Sequence, residues 1–428
     1  MGEKLDTEEL RQQLISRQKR ALEKGEEIGA AIDGEVETPQ LSPEKINEKY
    51  EKGEIRIVTE QGRYPLASIS RMLNGENYKL DPEYQRRHRW TIEQKSRLIE
   101  SFIMNVPVPP IFLYEWDYNE YEVMDGLQRM TAVREFYENK FPLSSLEYWQ
   151  ELEGMYYKDL PAKIKAGVDR RYISSIVLLK ETSHGDENPE LLKRFVFGRI
   201  NTGGVQLTPQ ELRNALYDGP MNRLCKELSS NPKLRRMWNI PVNVEELLGD
   251  TDPAVDNLTD EAFDGLDLGQ QPNVPDTYRK MIDVELVLRF FANRQRVIYY
   301  RDNLRGYLDG YLKIANNFDS KTIESLKRLY LMTIDLAWDI FGDRAFKKRR
   351  NGVWGNVPTL SIYDALTNVL SRLIDEGPSL LAKREEIVQG LDEFYANNSA
   401  KFNLRGQTRA DLMDREILFE SYFRSFLK

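Results

Sequence analysis

The sequence predicts an α+β chain, a small mixed strand-and-helix region followed by a mainly helical one. Three observations carry this. Up to about residue 220, strand-like alternation and a hairpin pattern stand beside helices with clear start and stop signals. From about 278 to the end, every apolar pattern has helical spacing. Between them, 244–277 holds no lysine or arginine, is rich in aspartate and glutamate, and contains Pro253, Pro272 and Pro275. At 428 residues the chain is too long for one core. We read 1–53 as an N-terminal helix and connector, 54–243 as the mixed domain, 244–277 as an acidic linker or insertion, and 278–428 as a helical domain.

Taken in order, "TEELRQQLISRQKRALEKGEE" reads as a peripheral helix, because Leu10, Leu14 and Ala21 make only a thin apolar stripe. A flexible connector through Pro39 and Pro43 follows. "EIRIVT" (54–59) alternates like a strand. Thr91 and Gln94 form a capping box that opens the helix "IEQKSRLIESFIMN", with Ile92, Ile99, Phe102 and Ile103 facing inward. "VPVPP" ends it, since proline cannot continue a helix. "IFLYE" and "YEVMD" around the turn "WDYNE" read as a hairpin. Leu191, Leu192, Phe195, Val196 and Ile200 suit one buried helix face, stopped by Asn201-Thr202-Gly203-Gly204. Thr208-Pro209-Gln210-Glu211 is a complete helix start: cap, proline, and glutamate three residues after the cap. The helical patterns of the last region are "MIDVELVLRFFANRQ", "TIESLKRLYLMTIDLAWDIF", "LSIYDALTNVLSRLI", "REEIVQGLDEFYANN" and "DLMDREILFESYFRSF".

Composition excludes several functions. A hydrophobic fraction of 40%, a charged fraction of 30% and a net charge of −8 are ordinary for a soluble globular protein. The single cysteine, Cys225, allows no internal disulfide and fits a reducing, cytoplasmic compartment. The charged N-terminus is no signal peptide, and no apolar run reaches membrane-spanning length. With only His88 and His184 besides that cysteine, a structural zinc site has too few ligands, and a Ser-His or Cys-His centre would have to use one of the two. Neither a GxxxxGK[ST] phosphate loop nor a GxGxxG fingerprint is present.

One short stretch stands out. In "VMDGLQRMTAVREFY" a strand-like pair runs through Asp125 and Gly126 into a helical pattern, which puts Gln128 and Arg129 in the first turn. The helix dipole disfavours a cation there, so Arg129 calls for a negative partner. Two readings stand. In one, Asp125 caps the helix, Gly126 turns the chain, and Arg129 pairs with a carboxylate such as Asp125, Glu135 or a more distant acid. In the other, helix-start N–H groups and Arg129 hold a nucleotide phosphate. Tyr84, Gln85, Arg86, Arg87, His88, Arg89 and Trp90 form a second cluster, either a solvated basic loop or a surface for phosphate and base. Lys347–Arg350 is a basic run at the surface, more often a solvated face than a phosphate contact. His184 sits in a turn and reads as inert.

In order, "YQRRHRW…LIESFIMNVPVPPIFL", "VMDGLQRMTAV", "FGRINTGGVQLTPQELRNAL" and "DVELVLRFFA" resemble the N-terminal domain family of GmrSD-type modification-dependent restriction enzymes over roughly 55–300. The resemblance implies a ParB/sulfiredoxin-like nucleotide-binding fold and a role as an NTP-binding or NTP-hydrolysing component of prokaryotic defence against phage DNA. By that resemblance Asp125, Gln128 and Arg129 are the catalytic candidates. Tyr84, Gln85, Arg86, Gly126 and Asn201 are the nucleotide-binding ones. The expected ligand is a nucleoside triphosphate with Mg²⁺. DNA, a separate nuclease or effector subunit, and a second copy of the chain are candidate partners, and no membrane is. The sequence departs from the family's motif at Leu127, where glutamine is usual. With no histidine after His184, the helical domain cannot be the His-Asn-His nuclease that many relatives carry. Two other readings are a non-catalytic, nucleotide-gated switch and a DNA-binding module.

Overall fold

In a computed structural model, the structure describes residues 7–29, 42–52, 59–73, 75, 77–79, 90–179, 196, 208–243, 275–300, 303–403 and 408–427. The fold is mixed α+β and divides into two units. One is Thr38–Leu216, and the other joins Met1–Glu37 to Tyr217–Lys428. The division therefore lies at Leu216/Tyr217 rather than near residue 243, and the N-terminal helix goes with the helical region.

In the first unit, strands β1 (Thr59–Pro65), β2 (Tyr78–Lys79), β3 (Ile111–Asp117), β4 (Glu120–Asp125) and β5 (Tyr172–Leu178) form one sheet in the order β1-β5-β3-β4-β2. The expected hairpin is β3–β4, antiparallel with Leu113 opposite Val123. Asn119 at its turn has φ 57°, a conformation asparagine tolerates. β5 pairs parallel with β3 and antiparallel with β1. Ile111, Leu113, Val123, Ile173 and Val177 face one core, the period-2 pattern expected of a half-buried sheet. The strand expected at 54–59 begins only at Thr59 among the described residues and runs on to Pro65.

Ten of the helices are labelled in chain order: α1 (Thr7–Arg20), α2 (Ile92–Met104), α3 (Leu127–Tyr137), α4 (Ala162–Asp169), α5 (Pro209–Leu216), α6 (Ile282–Tyr299), α7 (Ser320–Phe341), α8 (Leu360–Arg372), α9 (Arg384–Asn397) and α10 (Arg409–Arg424). The capping box of α2 forms as read: the Gln94 N–H donates to Thr91 Oγ1 at 3.1 Å, and the Thr91 N–H to Gln94 Oε1 at 3.0 Å. Its last turn closes on Asn105 at φ 59°, just before the prolines. The start of α5 also forms as read: the Glu211 N–H donates to Thr208 Oγ1 at 3.3 Å, and the Thr208 N–H to Glu211 Oε2 at 2.6 Å. Of the block 191–207 only Val196 is described, and of the acidic segment only 275–277.

A buried carboxylate anchors the long connection between α3 and α4. Glu100, on α2, is 2% exposed. Its Oε1 accepts the Tyr148 and Trp149 N–H groups at 2.8 and 2.9 Å, and its Oε2 the Glu147 N–H at 3.2 Å. Burial alone would raise this carboxyl, but the three N–H donors and Arg97 outweigh it and hold it below its ordinary 4.5.

The second unit is built on α6, which is buried along almost its whole length. α1 is not peripheral. Leu14 packs with Val297, Leu412 and Met413, while Arg11 pairs with Asp414 at 2.8 Å and Arg17 with Glu420 at 3.0 Å. The thin stripe suffices because the flanking arginines meet carboxylates on α10. The chain after α1 then places Glu26 in the interior, where Oε1 and Oε2 accept from Arg294 Nε and Nη2 at 2.7 and 2.9 Å with both side chains 0% exposed. The basic run is not a solvated face either. Lys347 donates to Asn239 Oδ1 at 2.9 Å, Lys348 to the Phe402 carbonyl at 2.7 Å, and Arg349 to the Val388 carbonyl while pairing with Asp392 at 3.3 Å. Arg350 alone of the four is exposed. No helix among the described residues is long and apolar enough to cross a membrane.

Two stability measurements follow. Glu26→Ala leaves the Arg294 charge buried without its carboxylate, and urea unfolding should show a loss of about 3–5 kcal/mol. Glu100, with its folded value depressed, contributes stability that is complete above 4.5 and disappears as pH falls through the folded value. Glu100→Gln should cost about 1–3 kcal/mol at neutral pH and make the acid side of the stability–pH curve shallower.

Candidate functional site

β4 ends at Asp125 and α3 begins at Leu127, so Gly126 alone makes the turn, at φ 95° and ψ 8°. A Cβ there would lie 2.6 Å from Ile111 Cγ2, and the left-handed backbone would strain any other residue. Both facts demand glycine. Gly126 is itself the N-cap residue, and no side chain caps the helix. The expectation that Asp125 caps α3 is therefore corrected: its carboxylate turns to Arg129 instead.

Arg129 Nη2 donates to Asp125 Oδ2 at 2.6 Å, and Nη1 to the carbonyls of Pro109 at 2.5 Å and Pro110 at 3.3 Å. The Arg129 side chain is 11% exposed and that of Asp125 43%. The cation at the start of α3 thus meets a neighbouring carboxylate, with two carbonyls from the entry to β3. Glu135 is not its partner, for Glu135 pairs with Lys95 at 2.6 Å. Gln128 Oε1 accepts the Trp90 N–H at 3.3 Å, which brings the end of the YQRRHRW segment to this turn. Tyr84, Gln85, Arg86 and Asn201 lie outside the described residues. Leu127 is 9% exposed and belongs to the core, so the departure from the family motif falls on a packing position.

The carbonyls of Pro109 and Pro110 were not legible as site groups. "VPVPP" signals only that a helix stops, and nothing in it says which donor its oxygens will meet.

The arrangement can be compared with what a magnesium nucleotide needs. The half-exposed Asp125 carboxylate is a hard oxygen ligand of the kind Mg²⁺ takes. The start of α3, without a side-chain cap, offers N–H groups and the positive end of a dipole to a phosphate. The Arg129 guanidinium, engaged with Asp125 and two carbonyls, orients the carboxylate. The residues fit such a group at Asp125 and the helix start. Among the described residues no cluster of three or more His, Cys, Asp or Glu could hold a metal by itself, so phosphate oxygens would have to complete the coordination.

Residues 69–217 match the model of a family described as GmrSD restriction endonuclease, N-terminal domain. The matched stretch includes β2 to β5 and the whole Asp125–Arg129 turn, and it is narrower than the span of roughly 55–300 suggested by the motifs. No curated protein and no solved structure matches the chain.

Because Arg129 joins the end of β4, the start of α3 and the entry to β3, Arg129→Ala should destabilise the ligand-free protein by about 1–3 kcal/mol, read as a lower melting temperature. Gly126→Ala should also destabilise, through its backbone and Ile111. An unchanged melting temperature for Arg129→Ala would assign the arginine to ligand binding alone.

Proposed function

We propose that this chain is the NTP-binding component of a prokaryotic DNA-restriction system, with the phosphates held at the start of α3 and Mg²⁺ at Asp125. The observation that carries this reading is the turn itself: a strand ends in a half-exposed carboxylate and passes through one left-handed glycine into a helix with no side-chain cap. The match of 69–217 to a restriction-endonuclease N-terminal domain supports the biological setting. A bound Mg²⁺ would offset phosphate charge beside Asp125. The chain's own residues do the rest. Arg129 orients Asp125, Gly126 lets the backbone approach closely, and Gln128 holds Trp90 against the turn.

The engaged state of Arg129 favours gating over hydrolysis. An anion at the helix start competes with Asp125 for the guanidinium, and any movement of Arg129 loosens its hold on Pro109 and Pro110. Ligand binding is thereby coupled to the connection entering β3.

A melting screen with ATP, GTP, CTP, UTP and their diphosphates, with and without Mg²⁺, tests the proposal. One triphosphate at a hundredfold excess over its Kd should stabilise the protein by about 2.7 kcal/mol. The effect should require Mg²⁺ and vanish in Asp125→Asn. Phosphate release in the same samples separates hydrolysis from gating. Stabilisation by no nucleotide, or full stabilisation of Asp125→Asn, would overturn the reading.

A further inference from the structure

The connection between α3 and α4 builds a surface that the nucleotide reading does not use. Tyr148, Trp149, Leu152, Met155, Pro161 and Ile164, with Glu151, line an open groove of about 500 Å³. Tyr148 is 68% exposed, so it adds little to the core of its own unit. Leu146 and Leu152 carry that burial, at 5% and 3% exposed. Trp149 and Met155 pack one side against the core and leave the other partly open.

The groove is held rigidly. Glu100 binds the backbone N–H groups of Glu147, Tyr148 and Trp149. Glu153 accepts the Ser145 and Leu146 N–H groups at 3.1 and 2.6 Å, and Ser145 sits at φ 55°, a conformation serine rarely adopts. Leu143 and Met155 close the base through a 3.0 Å backbone bond. Two carboxylates and a strained serine thus present two aromatic side chains in a set geometry. Rigid tyrosine and tryptophan bring large contact area at small entropic cost and dominate protein interfaces. Glu151 is the one charged residue lining the groove, and neither it nor the exposed Glu147 forms an ion pair among the described residues.

We propose that this groove docks a peptide segment of a partner protein, with large apolar side chains on Tyr148, Trp149 and Met155 and a Lys or Arg facing Glu151. Charge complementarity chooses the partner: an apolar segment bearing an acid would meet Glu147 and Glu151, whereas a basic one is drawn to them. The inference is independent of the nucleotide reading.

Panning a random peptide display library against the full chain provides the test. Enriched sequences should combine two or more large apolar residues with a lysine or arginine. With one labelled enriched peptide, anisotropy should show Tyr148→Ala weakening binding about thirtyfold or more. Glu151→Lys should also weaken it, and should bind the same peptide better once the peptide's basic residue is replaced by glutamate. Melting curves should leave both variants folded, as their exposure implies. Three results overturn the proposal: no enrichment of this class, binding indifferent to both substitutions, or enriched peptides that are acidic. A fourth is a self-association in sedimentation velocity that Tyr148→Ala abolishes, which would give the groove to a second copy of the chain.

Discussion

Arg129 stands in the first turn of α3, where the helix's own dipole opposes a positive charge, and the Asp125 carboxylate with two proline carbonyls holds it there. Much of the sheet unit's geometry depends on that contact. The guanidinium joins the last residue of β4, the first turn of α3 and the entry to β3. It can do so because Gly126 makes the strand-to-helix turn within one residue and lets Ile111 approach to a distance that no Cβ would permit. The turn therefore couples packing to chemistry. Its glycine and arginine set the shape, and the aspartate they hold stays half-exposed at the head of α3.

The helical unit solves a different problem, the burial of charge. Arg289 and Arg294 on α6 lie in the interior, where an unpaired guanidinium would cost several kcal/mol, on the order of the penalty for any desolvated ion. Asp364 meets Arg289 through both of its oxygens, and Glu26 meets Arg294 in the same two-pronged way. Burial lowers the proton affinity of each arginine, yet the facing carboxylate more than restores it, so both remain charged. The Glu26 pair reaches the N-terminal segment across 268 positions of sequence. The thin apolar stripe of α1 docks through Leu14, with Arg11 paired to Asp414 and Arg17 to Glu420 beside it.

Local signals and local structure agree closely. The capping boxes at Thr91 and Thr208, the stop at Asn105 before the prolines, the β3–β4 hairpin and the long helices from Ile282 onward all form where their residues announce them. Each rests on interactions within a few positions, so the sequence carries the whole cause. The Asp125–Arg129 pair is nearly as legible, since a cation at a helix start implies a nearby anion. Other readings failed where the partner was distant. Lys347–Arg349 looks solvated in sequence because neighbouring like charges repel. In the fold each finds its own acceptor, from Asn239 to Phe402.

The sequence by itself determined the α+β class, the capped helix starts at Thr91 and Thr208, the hairpin and the place of the Gly126 turn, because period, capping and backbone preference act over a few residues; its pattern carries α1 through residue 27, where the helix ends at Arg20, and gave no sign of the helix Leu304–Ala315. Only the tertiary structure decided that Arg129 also meets the Pro109 and Pro110 carbonyls, that Leu127 faces the core, that α1 docks on the helical unit, and that Glu100 displays Tyr148 and Trp149. Those outcomes depend on contacts across tens or hundreds of positions. There the choice among many chemically equivalent carboxylates and carbonyls is made by packing, not by any pattern a chain can show along its length.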